Sequence, residues 1–136
     1  MKKLLLISVA LLIILFAACG NNNTKKDAER GEDAMYEQIS PEDAKRIMDS
    51  GEEYILLDVR EQNEYDEGHI KGAVLIPYTE IEDRAESELL NKNEQILVYC
   101  RSGRRSKIAA ESLVRLGYTN VKEFGGIIDW RYEIEK

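Results

Sequence analysis

From Tyr36 onward, short apolar runs alternate with amphipathic stretches. Tyr36–Ile39 reads as a brief strand. Ser40-Pro41-Glu42-Asp43 is a helix start, with a serine cap, proline at the first helical position and acids in the first turn. Ala44, Ile47 and Met48 give that helix one apolar face, and Ser50-Gly51 ends it. Tyr54–Asp58 is the kind of apolar run that forms a central parallel strand. Glu61–Glu67 predicts a short polar helix or turn, and Ala73–Ile76 a strand closed by Pro77. Ile81, Ala85 and Leu89 recur at helical spacing, so a helix is expected over Glu80–Leu90. Gln95–Tyr99 is the next strand. Arg104–Leu116 is a helix with Ile108, Ala109, Ser112, Leu113 and Leu116 on one stripe and Gly117 at its end. Val121–Phe124 is the last strand, Gly125-Gly126 a turn, and Ile127–Ile134 a closing helix. No internal repeat is visible. Strands alternating with helices imply parallel βα units and an α/β sheet covered on both faces. Sites in such sheets lie at the carboxyl ends of strands. Asp58 and Cys100 both follow strand ends, so both belong to one edge.

The N-terminal stretch stands outside this pattern. Lys2 and Lys3 precede the apolar segment Leu4–Ala18, the arrangement of a secretory signal peptide over residues 1–18. A membrane span needs about 20 apolar residues, and this segment is shorter; an uncleaved anchor is the alternative. Phe16-Ala17-Ala18-Cys19-Gly20 resembles a bacterial lipobox, with Phe16 where leucine is usual. That resemblance implies lipidation at Cys19 and an extracytoplasmic domain anchored to a bacterial membrane. Residues 19–35 are polar and charged, with too little apolar surface to offset their ordering entropy, and read as a flexible tether. Residues 36–136 form the globular domain, long enough to bury one modest core. A monomer is the default for such a small acidic domain.

Charge changes the picture in one place. The chain carries 26 acidic and 19 basic side chains, a net charge of −7, which argues against a nucleic-acid partner. Against that background Arg101, Arg104, Arg105 and Lys107 crowd around Cys100 with no acid among them. There are two cysteines, and in an exported protein an even count first suggests a disulfide. Here Cys19 has its own role, and a bridge would tie Cys100 to a tail. A thiol at a strand-to-helix turn, beside cations and a helix N-terminus, is favoured as thiolate. Gly103 permits a left-handed backbone, so the loop Arg101–Arg105 can present N–H groups as an anion nest. The bland alternative is a core cysteine followed by a solvated basic helix start. One histidine and two distant cysteines offer no metal-ligand spacing.

Four motifs together are similar to the single-domain rhodaneses: Leu57-Asp58-Val59-Arg60-Glu61, Gly68-His69-Ile70-Lys71-Gly72-Ala73, Ile76-Pro77 and Cys100-Arg101-Ser102-Gly103-Arg104-Arg105-Ser106. Gly125-Gly126 and Trp130 match the family's C-terminal turn. The resemblance implies the rhodanese-like fold, a five-stranded parallel sheet with helices on both faces. It implies a sulfurtransferase with no metal or organic cofactor. A Cys100 persulfide would form from a small anionic donor such as thiosulfate and pass to a thiol or protein-cysteine acceptor. Arg101 and Arg105 are then the candidates for the donor's sulfonate, Ser102 and Gly103 line the loop, and Arg104 points outward. Asp58 and Arg60 would support the loop from behind, Arg60 pairing with Glu61 or Glu64.

Loop length bears on the alternative. Related phosphatases place a phosphate-clamping arginine six positions after the cysteine, where this chain has Ser106. A phosphatase or arsenate reductase is thereby disfavoured. A sulfur-relay or thiol-redox module without turnover stays open. His69, the lone histidine, is expected to be structural, Trp130 to be core, and the acids of Glu80–Glu88 to be a solvated helix face.

Overall fold

The computed structural model describes residues 35–136. The signal segment, Cys19 and nearly all of the tether lie outside the described residues. The chain order is β1 (Glu37–Gln38), α1 (Pro41–Asp49), β2 (Ile55–Asp58), α2 (Gln62–Glu67), β3 (His69–Ile70), β4 (Val74–Leu75), α3 (Ile81–Glu88), β5 (Ile96–Cys100), α4 (Arg104–Arg115), β6 (Val121–Gly126) and β7 (Ile134–Glu135). Five strands form one sheet in the order β1-β6-β5-β2-β4, and every pairing within it is parallel. This is the doubly covered parallel sheet that the alternation of elements predicted.

Two apolar layers flank the sheet. On one face Ile81, Ala85 and Leu89 of the α3 segment and Ala109, Ala110 and Leu113 of α4 pack on Leu57, Val59, Ile96, Val98 and Val121. On the other, Ala44 of α1 joins Leu56, Leu97, Tyr99, Phe124 and Trp130. Strand β5 is fully buried, and its side chains alternate between the layers, as period-two geometry requires. Helix α1 begins as its sequence implies: Ser40 Oγ accepts from Asp43 N at 3.0 Å, and the Asp43 carboxylate accepts from Ser40 N at 3.3 Å.

The C-terminal segment departs from expectation. Gly125-Gly126 is not a free turn; β6 runs through it with a register shift against β5 between Val98 and Cys100. Nor is Ile127–Ile134 a helix. A single 3-10 turn covers Ile127–Asp129, and Ile134-Glu135 then pairs antiparallel with His69-Ile70. The reason is tertiary. Trp130 is held at Phe124, ring centroids 5.7 Å apart, and Tyr132 meets its edge at 4.9 Å. Docking those rings extends the chain, and its backbone then satisfies β3.

Candidate active site

Strand β5 ends in Cys100, a free thiol that is only 1% exposed, on the face covered by α4. The chain then turns through Arg101, Ser102 and Gly103 into α4. Gly103 caps the helix at φ +100°, a left-handed conformation that a side chain disfavours. The Gly103 N–H donates to Cys100 Sγ at 3.0 Å, and Ser106 Oγ lies 3.4 Å from the sulfur. Strand β6 closes over the other side of the loop: a Cβ on Gly126 would lie 1.9 Å from the Arg101 carbonyl oxygen. Ile128 N donates to that same oxygen at 3.3 Å.

Burial pushes the Cys100 thiol up. Hydrogen bonding at Ser106, followed by the N–H groups of Gly103 and Ser102, outweighs it, so the thiol settles below its ordinary value. The positive end of α4 acts in the same direction. An anion formed on this sulfur therefore meets donors rather than bare apolar walls.

The basic residues divide into two groups. Arg101, Arg104 and Lys107 are exposed around the loop. Arg105, expected to bind a sulfonate, is instead engaged by Glu64 of α2 through two hydrogen bonds of 2.7 and 2.8 Å. The pair is mostly sheltered, with side chains 16% and 19% exposed. The Arg105 contact holds the Glu64 carboxyl at about 2.

Asp58 and Arg60 are both buried, and they pair with each other rather than Arg60 with Glu61 or Glu64. Asp58 accepts from Arg60 N, Nε and Nη2, the last at 2.6 Å, and Nη2 also donates to the Gly68 carbonyl at 2.8 Å. This knot brackets α2, and α2 carries Glu64 to Arg105. Support from Asp58 thus reaches the Cys100 loop through a helix rather than by contact. Tyr99 adds a second link: its Oη accepts from Ile70 N at 3.0 Å, and burial together with the neighbouring Asp58 pushes its phenol up.

His69 stacks on Tyr65 with ring centroids 3.7 Å apart, and its Nδ1 lies 3.0 Å from the Tyr65 carbonyl. Its Nε2 sits 3.5 Å from Glu135 on β7. The ring belongs to that corner and not to Cys100.

Ser106 and Glu123 are site residues that sequence reasoning does not single out, and Glu64 enters it only as a partner for Arg60. Ser106 was weighed only as an arginine's replacement. Glu123 is 2% exposed; its Oε1 accepts from Ser106 Oγ at 2.6 Å and from Gly125 N at 2.8 Å, and its Oε2 from Gln38 Nε2 at 3.3 Å. A signal for it existed: strand alternation puts Glu123 on the same inward face as Val121.

A parallel sheet with a cradled thiol at the carboxyl end of a central strand defines a class of cysteine-dependent transfer domain. Residues 40–133 match the Rhodanese-like domain, and the chain belongs to that family, which includes sulfurtransferases. It is 42% identical over 99 residues to YrkF of Bacillus subtilis, a match covering 72% of this chain and 52% of YrkF, so it spans about half of that relative's length. It is 40% identical over 73 residues to the thiosulfate sulfurtransferase PspE of Escherichia coli, covering 54% of this chain and 70% of PspE. Among solved structures, the rhodanese-like domain of an Anabaena protein superposes with a TM-score of 0.68 at 32% identity, covering 74% of this chain and 80% of that one.

Proposed function

We propose that the protein moves sulfane sulfur through a persulfide on Cys100. The Gly103 N–H aimed at Sγ from 3.0 Å carries this reading, because it stabilises an anion on that atom. The Cys100 thiolate attacks the outer sulfur of thiosulfate or a similar donor. A new S–S bond forms, the donor's S–S bond breaks, and sulfite leaves with the electron pair. The terminal sulfur of Cys100–S–S⁻ inherits the negative charge within the loop. A thiolate acceptor, or cyanide in an assay, then attacks that sulfur and releases the Cys100 thiolate. This is covalent, two-stage catalysis needing no other cofactor.

Arg101 and Arg104 are the side chains assigned to the donor's sulfonate, with Ser102 and Gly103 supplying backbone N–H groups. PspE, as a thiosulfate sulfurtransferase, supports the donor class. A phosphatase reading fits worse: Ser106 is buried on Cys100 where a phosphate clamp would stand, and Arg105 turns to Glu64. YrkF, named as a candidate sulfur carrier, favours a second reading in which Cys100 relays sulfur to a partner without turnover. Lipidation at Cys19 would place the domain on the outer side of a bacterial membrane.

Intact mass after thiosulfate treatment tests the chemistry. We expect a gain of about 32 Da, one sulfur, absent in Cys100→Ser. Thiocyanate release on adding cyanide then separates turnover from relay. No gain from any sulfane donor would defeat both. Loss of palmitate incorporation in Cys19→Ala tests the anchor.

A further inference from the structure

Glu123 runs against the electrostatics of its surroundings: a buried carboxylate one serine away from a sulfur held in an anion cradle. Among the described residues it makes no ion pair, and only Ser106, Gly125 and Gln38 bond to it. Ser106 has a single hydroxyl proton and four acceptors in reach: Cys100 Sγ at 3.4 Å, the Gly125 carbonyl at 3.3 Å, the Gly103 carbonyl at 3.0 Å and Glu123 Oε1 at 2.6 Å. An O–H bond to a carboxylate at that length is charge-assisted and strong, whereas the sulfur is farther and a weaker acceptor. The proton therefore goes to Glu123, and Ser106 Oγ turns its lone pairs to the sulfur. In that orientation it accepts S–H and donates nothing to a thiolate.

We propose that Glu123 is a positioning residue that captures the Ser106 proton and so keeps the cradled sulfur from becoming too stable, and too inert, a thiolate. The proposal rests on Cys100 being the sulfur nucleophile. Intrinsic thiolate nucleophilicity falls as the thiol becomes more acidic, and attack is best when thiol acidity matches ambient pH. The N–H groups and the helix end pull in one direction; Glu123 opposes them from behind. The other ionisable groups around the pair are Tyr36 ahead of β1, Glu42 of α1, Lys107 of α4, and Asp129 and Arg131 after β6, the last four lining a cleft of about 520 Å³ with Glu123. Arg105, already paired with Glu64, faces the sulfur side.

The test is the pH titration of thiolate ultraviolet absorbance in the full chain, with Cys100→Ala subtracted. Glu123→Gln keeps the volume and removes the charge. Its titration midpoint should fall by about one pH unit, and its rate per thiolate toward a small disulfide by about threefold. Ser106→Ala should also lower the midpoint, because it removes an acceptor of the thiol. A midpoint unchanged or raised in Glu123→Gln overturns the proposal. So does a midpoint raised in Ser106→Ala, which decides alone if Glu123→Gln does not fold. The titration needs no sulfur donor, so shifted midpoints without a persulfide mass gain would sink the sulfur-transfer reading and leave the proton assignment standing.

Discussion

Glu64 of α2 holds Arg105 of α4 through two side-by-side hydrogen bonds of 2.7 and 2.8 Å. The contact spans 41 positions of sequence and fastens the first turn of α4, the turn that carries Ser106, to the opposite wall of the site. It commits the Arg105 guanidinium to a carboxylate.

This pair makes stability depend on acid. The Glu64 carboxyl is lowered from its ordinary 4.5 to about 2, so its contribution is complete above the ordinary value and is lost as pH falls toward about 2. Glu64→Gln should lower the unfolding free energy by about 1–3 kcal/mol at neutral pH. The difference from the parent should shrink as pH drops through that window in urea unfolding. A pH-independent difference would refute the pairing.

The two arginines should separate kinetically. Arg101→Ala should raise KM for thiosulfate severalfold and leave stability unchanged. Arg105→Ala should instead lower stability by about 1–3 kcal/mol, through the lost charged hydrogen bonds. Steady-state kinetics with parallel unfolding curves provides the check.

Gly126→Ala puts a carbon into the Arg101 carbonyl. The backbone must move, because no flexible side chain is there to yield. A loss of about 2–4 kcal/mol is expected, with a fall in persulfide yield as the loop shifts. An unchanged melting temperature with full sulfur loading would contradict the close approach.

Asp58→Asn should be among the more damaging substitutions. It leaves the Arg60 guanidinium, 6% exposed, without its countercharge. Breaking a buried pair this way costs on the order of 3–5 kcal/mol. Denaturant unfolding reads the loss, and a cost below about 1 kcal/mol would mean the pair is solvated.

His69→Ala should cost stability rather than chemistry. It removes a stacked contact with Tyr65 and a tie to β7, about 1–2 kcal/mol together. The melting temperature should drop while sulfur-transfer kcat holds. Lost turnover at an unchanged melting temperature would reverse the assignment.

Much of this could be read along the chain. Ser40-Pro41 announced α1, the Ile81–Ala85–Leu89 spacing α3, and the apolar runs the five strands of the main sheet. Cys100 ended its strand where a parallel sheet keeps its sites. What the chain order leaves out shares a cause. Ile127–Ile134 reads as a closing helix, yet Trp130 reaches Phe124 and the chain extends. Around Arg105 the sequence offers only cations, and the acid that engages it comes from α2.

What the order of residues determines alone is what neighbouring residues decide among themselves: helix caps, strand periodicity, and a glycine that can turn left-handed after Cys100. Tertiary structure decided which charges meet. Glu64 reached Arg105, Asp58 was buried against Arg60, and Glu123 came to lie behind Ser106. Side-chain charges interact over a few ångströms in space, whatever their separation in sequence, so the electrostatics around Cys100 exist only once β6, α2 and α4 have packed around it.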